Sequence, residues 1–268
     1  MLKDITLGQY FPGNSLIHRL DPRTKLVMLI VYIVALFLAS GWVSYGLMLV
    51  FLAGSIAISG IPAKSFVKGM KSLTFILLFT ALLNLFFTVG ETVLVEFMGI
   101  KITLEGVVRA AQMLLRILML IAGTFLLTYT TSPISLTDGL ESLMNPLKAI
   151  KVPVHELAMM MCIALRFIPT LIEETDKIMS AQKARGADFE SGTLMERVRA
   201  LIPILVPLFI SAFRRADELA TAMECRCYQG GEGRTKMKLL RYNRNDYMVM
   251  GIGVAMILVV CVLRGFGL

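Results

Sequence analysis

From Leu26 to Ala63 the chain carries no charged residue. A helix needs about 20 apolar residues, at 1.5 Å each, to cross the hydrocarbon core of a bilayer. The run is about twice one crossing, so it reads as two membrane helices. Their break is expected around Ser40-Gly41-Trp42, where small residues meet an interfacial tryptophan. Three further apolar stretches read as spans: Ser72 to Gly90, Met113 to Thr131 with Arg116 near its outer end, and Tyr247 to Leu263. The predicted fold class is all-α, a polytopic membrane protein with about five transmembrane helices plus long cytoplasmic helices. Composition agrees: 56% of the residues are hydrophobic and the mean hydropathy is +0.74, against about 45–50% apolar in soluble domains. The first 25 residues carry Lys3, Asp4, His18, Arg19, Asp21, Arg23 and Lys25 and have no signal-peptide core, so insertion is expected to use the first span.

Lysine and arginine in the loops set the expected orientation. Arg19, Arg23 and Lys25 precede the first span, and Lys64, Lys68 and Lys71 lie between the second and third. Both groups are expected in the cytoplasm, with the N-terminus. The segment 91–112 has mixed charge and suits the outer side. The segment 132–245 holds sixteen of the 27 Lys and Arg residues and is expected in the cytoplasm. The predicted organisation is therefore 1–131, a membrane part with four spans; 132–245, a cytoplasmic region; and 246–268, a last transmembrane helix that leaves the C-terminus outside a cell (plasma) membrane.

The cytoplasmic region contains two similar arms. Residues 156–185 lack glycine and place Leu165, Ile168 and Ile172 at helical spacing, followed by Glu173, Glu174 and Asp176. Residues 194–227 repeat the order: an apolar run from Ala200 to Phe213, then Arg214, Arg215, Asp217 and Glu218. Shifted by 41 positions, Asp176 falls on Asp217, Ala181 on Ala222 and Arg185 on Arg226. Apolar halves of this size mark an interaction surface or lie at the membrane. Each arm ends on an arginine. Arg185-Gly186 fits a helix C-terminus, where glycine takes the left-handed cap and a cation complements the helix dipole. A second reading is a planar fork of donors offered to carboxylates on another protein. Sequence physics leaves both open.

Catalytic and ligand motifs are missing. The stretch Gly230-Gly231-Glu232-Gly233-Arg234-Thr235-Lys236 is glycine-rich but has the wrong spacing for a phosphate loop. Two histidines, His18 and His155, cannot build a histidine metal cluster, and Cys225 and Cys227 lack metal-pair spacing, so no metal is expected. Arg116 reads as a snorkelling arginine. Met159-Met160-Met161 reads as adaptable packing. Glu173, Glu174 and Asp176 are acid–base candidates by type only, and read as a solvated helix face. A membrane part without a substrate path, joined to a basic region without a catalytic site, points to a non-catalytic coupler.

At this point the residues resemble a known family, the transmembrane (T) component of energy-coupling factor transporters, ABC-type importers of vitamins and metal ions. The likeness covers almost the whole chain. It rests on Gly13-Asn14-Ser15-Leu16-Ile17-His18-Arg19-Leu20-Asp21-Pro22-Arg23-Thr24-Lys25, on Ser132-Pro133, on Ala164-Leu165-Arg166-Phe167-Ile168-Pro169, on Gln182 to Gly186 and on Met223 to Gly231. The family's coupling helices each end in a short Ala-Arg-Gly motif. Here the first is intact as Ala184, Arg185 and Gly186, whereas the second reads Cys225, Arg226 and Cys227 and keeps only the arginine. Tyr228-Gln229-Gly230-Gly231 can still end that helix. The resemblance implies that each arginine tip docks on one of two ABC ATPase subunits, a heterodimer by that likeness. ATP would be bound by those partners, with no cofactor in this chain. A separate membrane-embedded substrate-binding (S) subunit would sit on the apolar, methionine-rich parts of the arms. No nucleic-acid partner is implied. The alternatives are a stand-alone membrane transporter, a membrane-embedded enzyme and a membrane scaffold without ATPase partners.

Overall fold

The computed structural model describes residues 10–88, 92–97, 100–189, 193–231 and 239–266. Among them the chain forms nine α-helices, one 3₁₀ segment and one two-stranded hairpin. It divides into two compact units, one made of residues 8–139 and 240–268, the other of residues 140–239.

The first unit begins with α1 (Pro22–Leu38). Asp21 is its N-cap, its carboxylate accepting from the Arg23 backbone N–H, and Pro22 occupies the first turn, where its missing N–H costs nothing. The chain turns at the expected small residues and re-enters as α2 (Trp42–Ser59), which stops at Gly60 in the left-handed conformation. The lysine-bearing segment before the third apolar stretch is itself a helix, α3 (Ala63–Lys71), and the stretch forms α4 (Thr74–Phe87), bent by 67° from it. Then come the antiparallel strands β1 (Val93–Phe97) and β2 (Ile100–Thr103), and α5 (Leu104–Thr130). The described residues of the expected outer segment 91–112 form the hairpin and the first turns of α5, which starts nine residues before the predicted span because the Thr103 hydroxyl caps the Gly106 N–H. The helix α6 (Pro133–Met144) follows, and α9 (Arg244–Gly265) closes the unit.

The core of this unit sits among α1, α2, α5 and α9, with Leu36, Tyr45, Met48, Met119 and Val260 buried in it. Small residues let the helices approach, as is usual within membranes. A Cβ on Gly123 of α5 would stand 3.0 Å from the Tyr32 ring of α1, and one on Gly253 of α9 would collide with the Met28 sulfur. The starts of α1 and α9 are tied by hydrogen bonds. Asp246 accepts from the Asp21 backbone N–H at 2.9 Å and from the Asn243 N–H at 2.7 Å, in a capping box. The Arg23 guanidinium pairs with Asp21 at 2.9 Å and lies 4.0 Å over the Tyr242 ring. Arg116 is not snorkelling. It donates to the Ala39 carbonyl at 3.1 Å and to the Tyr45 hydroxyl, so it closes the α1–α2 turn by taking a carbonyl that the helix end leaves free.

Among the described residues four helices are long and apolar enough to cross a membrane, α2, α5, α9 and α7 (Val154–Ala184), or five if the bent pair α3–α4 is one span. At 17 residues α1 lies at the lower limit of a crossing, about 17–25 residues. The all-α, polytopic expectation holds, with one small hairpin added.

The second unit contains the 3₁₀ segment Asn145–Ile150, then α7 and α8 (Leu194–Cys225). The two long helices have 31 and 32 residues. A capping box at Thr193 and Glu196 starts α8. His155, at the start of α7, is held by Glu141 at 3.1 Å, and its ring lies against Gly231, where a Cβ would stand 2.7 Å away.

Candidate functional site

The 41-residue offset read in the sequence is a property of the backbone as well. Moved by 41, the bounds of α7 become 195–225, and α8 is Leu194–Cys225. The helices touch at equivalent positions: Glu174 accepts from the Arg215 guanidinium at 2.8 Å, and 174 + 41 is 215. Each terminal arginine lies eleven residues beyond that ion pair, Arg185 after Glu174 and Arg226 after Arg215. At 1.5 Å per residue both tips stand about 17 Å from the contact.

The tips are capped by the same pair of hydrogen bonds. After α7 the Gly186 N–H donates to the Lys183 carbonyl and the Ala187 N–H to the Gln182 carbonyl, both at 3.0 Å. After α8 the Cys227 N–H donates to the Glu224 carbonyl at 2.8 Å and the Tyr228 N–H to the Met223 carbonyl at 3.0 Å. Each set is a Schellman motif, which needs a left-handed residue just past the cap. Gly186 supplies it at φ +88° and Cys227 at φ +53°. Of the stretch 228–231, Tyr228 takes part in ending the second helix, through its N–H, while the left-handed position is Cys227. The helix ends at Cys225, and Cys227 takes the glycine's backbone role despite its Cβ. In both arms the arginine is the cap residue itself, at φ −86° for Arg185 and −96° for Arg226.

All six tip residues predicted from the sequence, Ala184, Arg185, Gly186, Cys225, Arg226 and Cys227, are exposed. The structure brings each set of three together at its own helix end and keeps the sets apart. Arg185 lies at the far end of α7, whereas Gly231, five residues past Arg226, packs on His155 at the near end. A guanidinium at such a point complements the local dipole and presents five donors outward. The arms carry apolar surface too. Leu201, Ile202, Leu205, Phe209 and Phe213 of α8 and Met160 and Met161 of α7 are exposed, more than a solvated helix would show. Glu174, read from the sequence as part of a solvated face, instead holds the contact between the arms. Its sequence signal was available, since the 41-residue shift sets it opposite an arginine. Among the described residues no three His, Cys, Asp or Glu side chains gather as metal ligands.

Known proteins share this chain's pattern along almost its whole length. A family model described as CbiQ, cobalt transport protein, matches residues 13–237. The energy-coupling factor transporter transmembrane protein EcfT of Ruminiclostridium cellulolyticum is 55% identical over 254 residues, which cover 95% of each chain. That of Bacillus subtilis is 50% identical over 250 residues, covering 93% of this chain and 94% of its own. That of Lactococcus lactis is 44% identical over 260 residues, covering 97% and 98%. An arm pair with matched arginine caps, in a multi-pass helical chain with such relatives, settles the family: the chain belongs to the CbiQ family, as a transmembrane component of energy-coupling factor transporters.

Proposed function

We propose that the chain couples two ABC ATPase subunits to a substrate-binding membrane subunit in an importer of vitamins or metal ions. The observation that carries this is the matched placement of Arg185 and Arg226, each the cap of a Schellman-terminated helix and each eleven residues beyond the Glu174–Arg215 contact. Two equal tips suit two similar docking grooves. In this reading each guanidinium enters a carboxylate-lined groove on one ATPase, where a planar fork binds in two-point fashion. ATP is bound and hydrolysed by those subunits, and this chain contributes no catalytic group. Closure of the ATPases on ATP moves the tips, and the arms carry that motion because each is one continuous helix from tip to contact. The exposed apolar faces of α7 and α8 hold the substrate-binding subunit. The methionines among them let one surface repack against different partners. The arms and the N-terminus lie on the cytoplasmic side.

The test is a pull-down from membranes in mild detergent, comparing wild type with Arg185→Ala/Arg226→Ala. Two ATPase subunits retained by the wild type and lost by the variant make the tips docking elements. Equal retention with loss of uptake makes them transmit motion instead. Retention of no ATPase by the wild type refutes the coupling function, and uptake by this chain alone, reconstituted without ATPases, would put a self-contained transporter in its place. Arg185→Lys and Arg226→Lys are expected to impair uptake as well, because a point charge does not replace a fork.

A further inference from the structure

A cavity of about 380 Å³ lies in the first unit among α1, α2, α5 and α9, within the range of about 300–1,000 Å³ typical of small-molecule sites. Its walls are apolar, with Met28, Leu29, Leu126, Leu127, Val249 and Ile252 among them. Polar side chains interrupt that lining: Ser55, Thr130 and Asn245, and two on one face of α1. Lys25 and Tyr32 are seven residues apart, two turns or about 10 Å along the axis.

Both have unused hydrogen-bonding capacity. The Tyr32 residue is 4% exposed, and its hydroxyl has no partner. A buried hydroxyl left so costs free energy unless something supplies an acceptor. Lys25 is 8% exposed, and its ammonium donates to the His18 carbonyl at 3.2 Å and the Thr130 carbonyl at 2.9 Å. An ammonium has three donors, so one remains. The carboxylates whose field reaches Lys25 are Asp21 and Asp246. They are committed elsewhere, Asp21 to Arg23 and Asp246 to the backbone amides of Asp21 and Asn243. The slot thus offers a cation at one end and an apolar body, while the Tyr32 hydroxyl is closed off from it.

That order of groups matches a lipid. We infer that this slot is a lipid-binding site, taking one acyl chain of an anionic phospholipid with its phosphate at Lys25. The helices that build the slot are those of the membrane part, so phospholipid is the amphiphile present around them. Basic pockets between membrane helices favour anionic headgroups.

The experiment uses the full chain purified in detergent and incubated with phosphatidylglycerol or phosphatidylcholine of the same acyl composition. Native mass spectrometry counts the lipids retained. Wild type is expected to keep one phosphatidylglycerol in clear preference to phosphatidylcholine. Lys25→Met should abolish the preference. Ser55→Phe, which fills the slot, should remove the bound lipid; if that variant does not fold, Lys25→Met decides. The inference is overturned if wild type keeps no lipid, keeps both lipids equally, or keeps its preference for phosphatidylglycerol in Lys25→Met, which would mark it as lipid of the general surface.

Discussion

The two helix tips share one backbone motif but fill its left-handed position with different residues, and this sets up a paired perturbation. Gly186→Ala places a Cβ where nothing lies within 4 Å, so its effect is one of backbone conformation alone. An L-residue held left-handed costs about 1–2 kcal/mol, while replacing glycine restricts the unfolded chain and returns about 0.4–1 kcal/mol. The net loss is about 0.5–1 kcal/mol. Cys227→Gly runs the same exchange backwards and should gain the same amount. With RT near 0.6 kcal/mol, local opening of the last turn changes roughly 2–5-fold. Amide hydrogen exchange reads this at the Ala187 N–H, bonded to Gln182, and at the Tyr228 N–H, bonded to Met223. Exchange at Ala187 should quicken in Gly186→Ala, and exchange at Tyr228 should slow in Cys227→Gly. Cys227→Ala, which keeps a Cβ but removes the thiol, should leave Tyr228 as it was. Faster exchange at Tyr228 in Cys227→Gly would refute the reasoning, because it would mean that the thiol, not the backbone, maintains the cap.

Two further outcomes follow from contacts elsewhere. The Glu174–Arg215 pair is partly exposed, with side chains 23% and 37% accessible, so a double-mutant cycle with Glu174→Gln and Arg215→Gln should give a coupling of about 0.2–1 kcal/mol in thermal unfolding; a coupling of zero would mean the arms are held by apolar packing alone. At the start of α1, burial would raise the Asp21 carboxyl, but hydrogen bonds from the Arg23 side chain and backbone N–H, with its charge, hold it below the ordinary carboxylate range. Its stabilising contribution is complete above the unfolded value of about 3.9 and fades as pH falls through the folded one. Wild type should therefore lose more thermal stability than Asp21→Asn on acidification below about pH 4; equal losses would show that the carboxylate's charge contributes nothing there.

The membrane helices were legible because hydropathy has a length scale. The break at Ser40-Gly41-Trp42 lies where the sequence places it, between α1 and α2. The boundary at Ser72 was legible, because three lysines give way there to an apolar run, but that the lysine segment is a helix bent by 67° from α4 was not, since its packing, Phe66 against Tyr129 of α5, is distant in the sequence. Arg116 was misread for a related reason. Its partners, the Ala39 carbonyl and the Tyr45 hydroxyl, come from a turn about seventy residues away, and a charge's partner across a bundle leaves no local mark. The tip residues were found through the arginines, but the cap at Cys227 was hidden because the rule that reads a cap from sequence looks for glycine. The buried Lys25 and Tyr32 were hidden as well, since a cavity is a property of four packed helices and not of any one of them.

The two arms agree in register more closely than in composition. Only three positions in fifteen are identical at the 41-residue shift, yet helix bounds, contact point and cap bonds coincide. The constraint on such a pair is where the arginine points and how far it reaches, which side-chain identity hardly determines. An insertion tests this without touching any tip residue. One alanine after Lys177 would turn Arg185 by about 100° relative to the Glu174 contact and lengthen the arm by about 1.5 Å. Four alanines would add about 6 Å but leave the tip within about 40° of its original direction. If direction governs docking, the single insertion should lose the ATPases in a pull-down and the fourfold insertion should recover part of them. If reach governs, the order reverses. Full retention in both would mean that the arginine acts as an unoriented charge, and the matched geometry of α7 and α8 would then have no part in coupling.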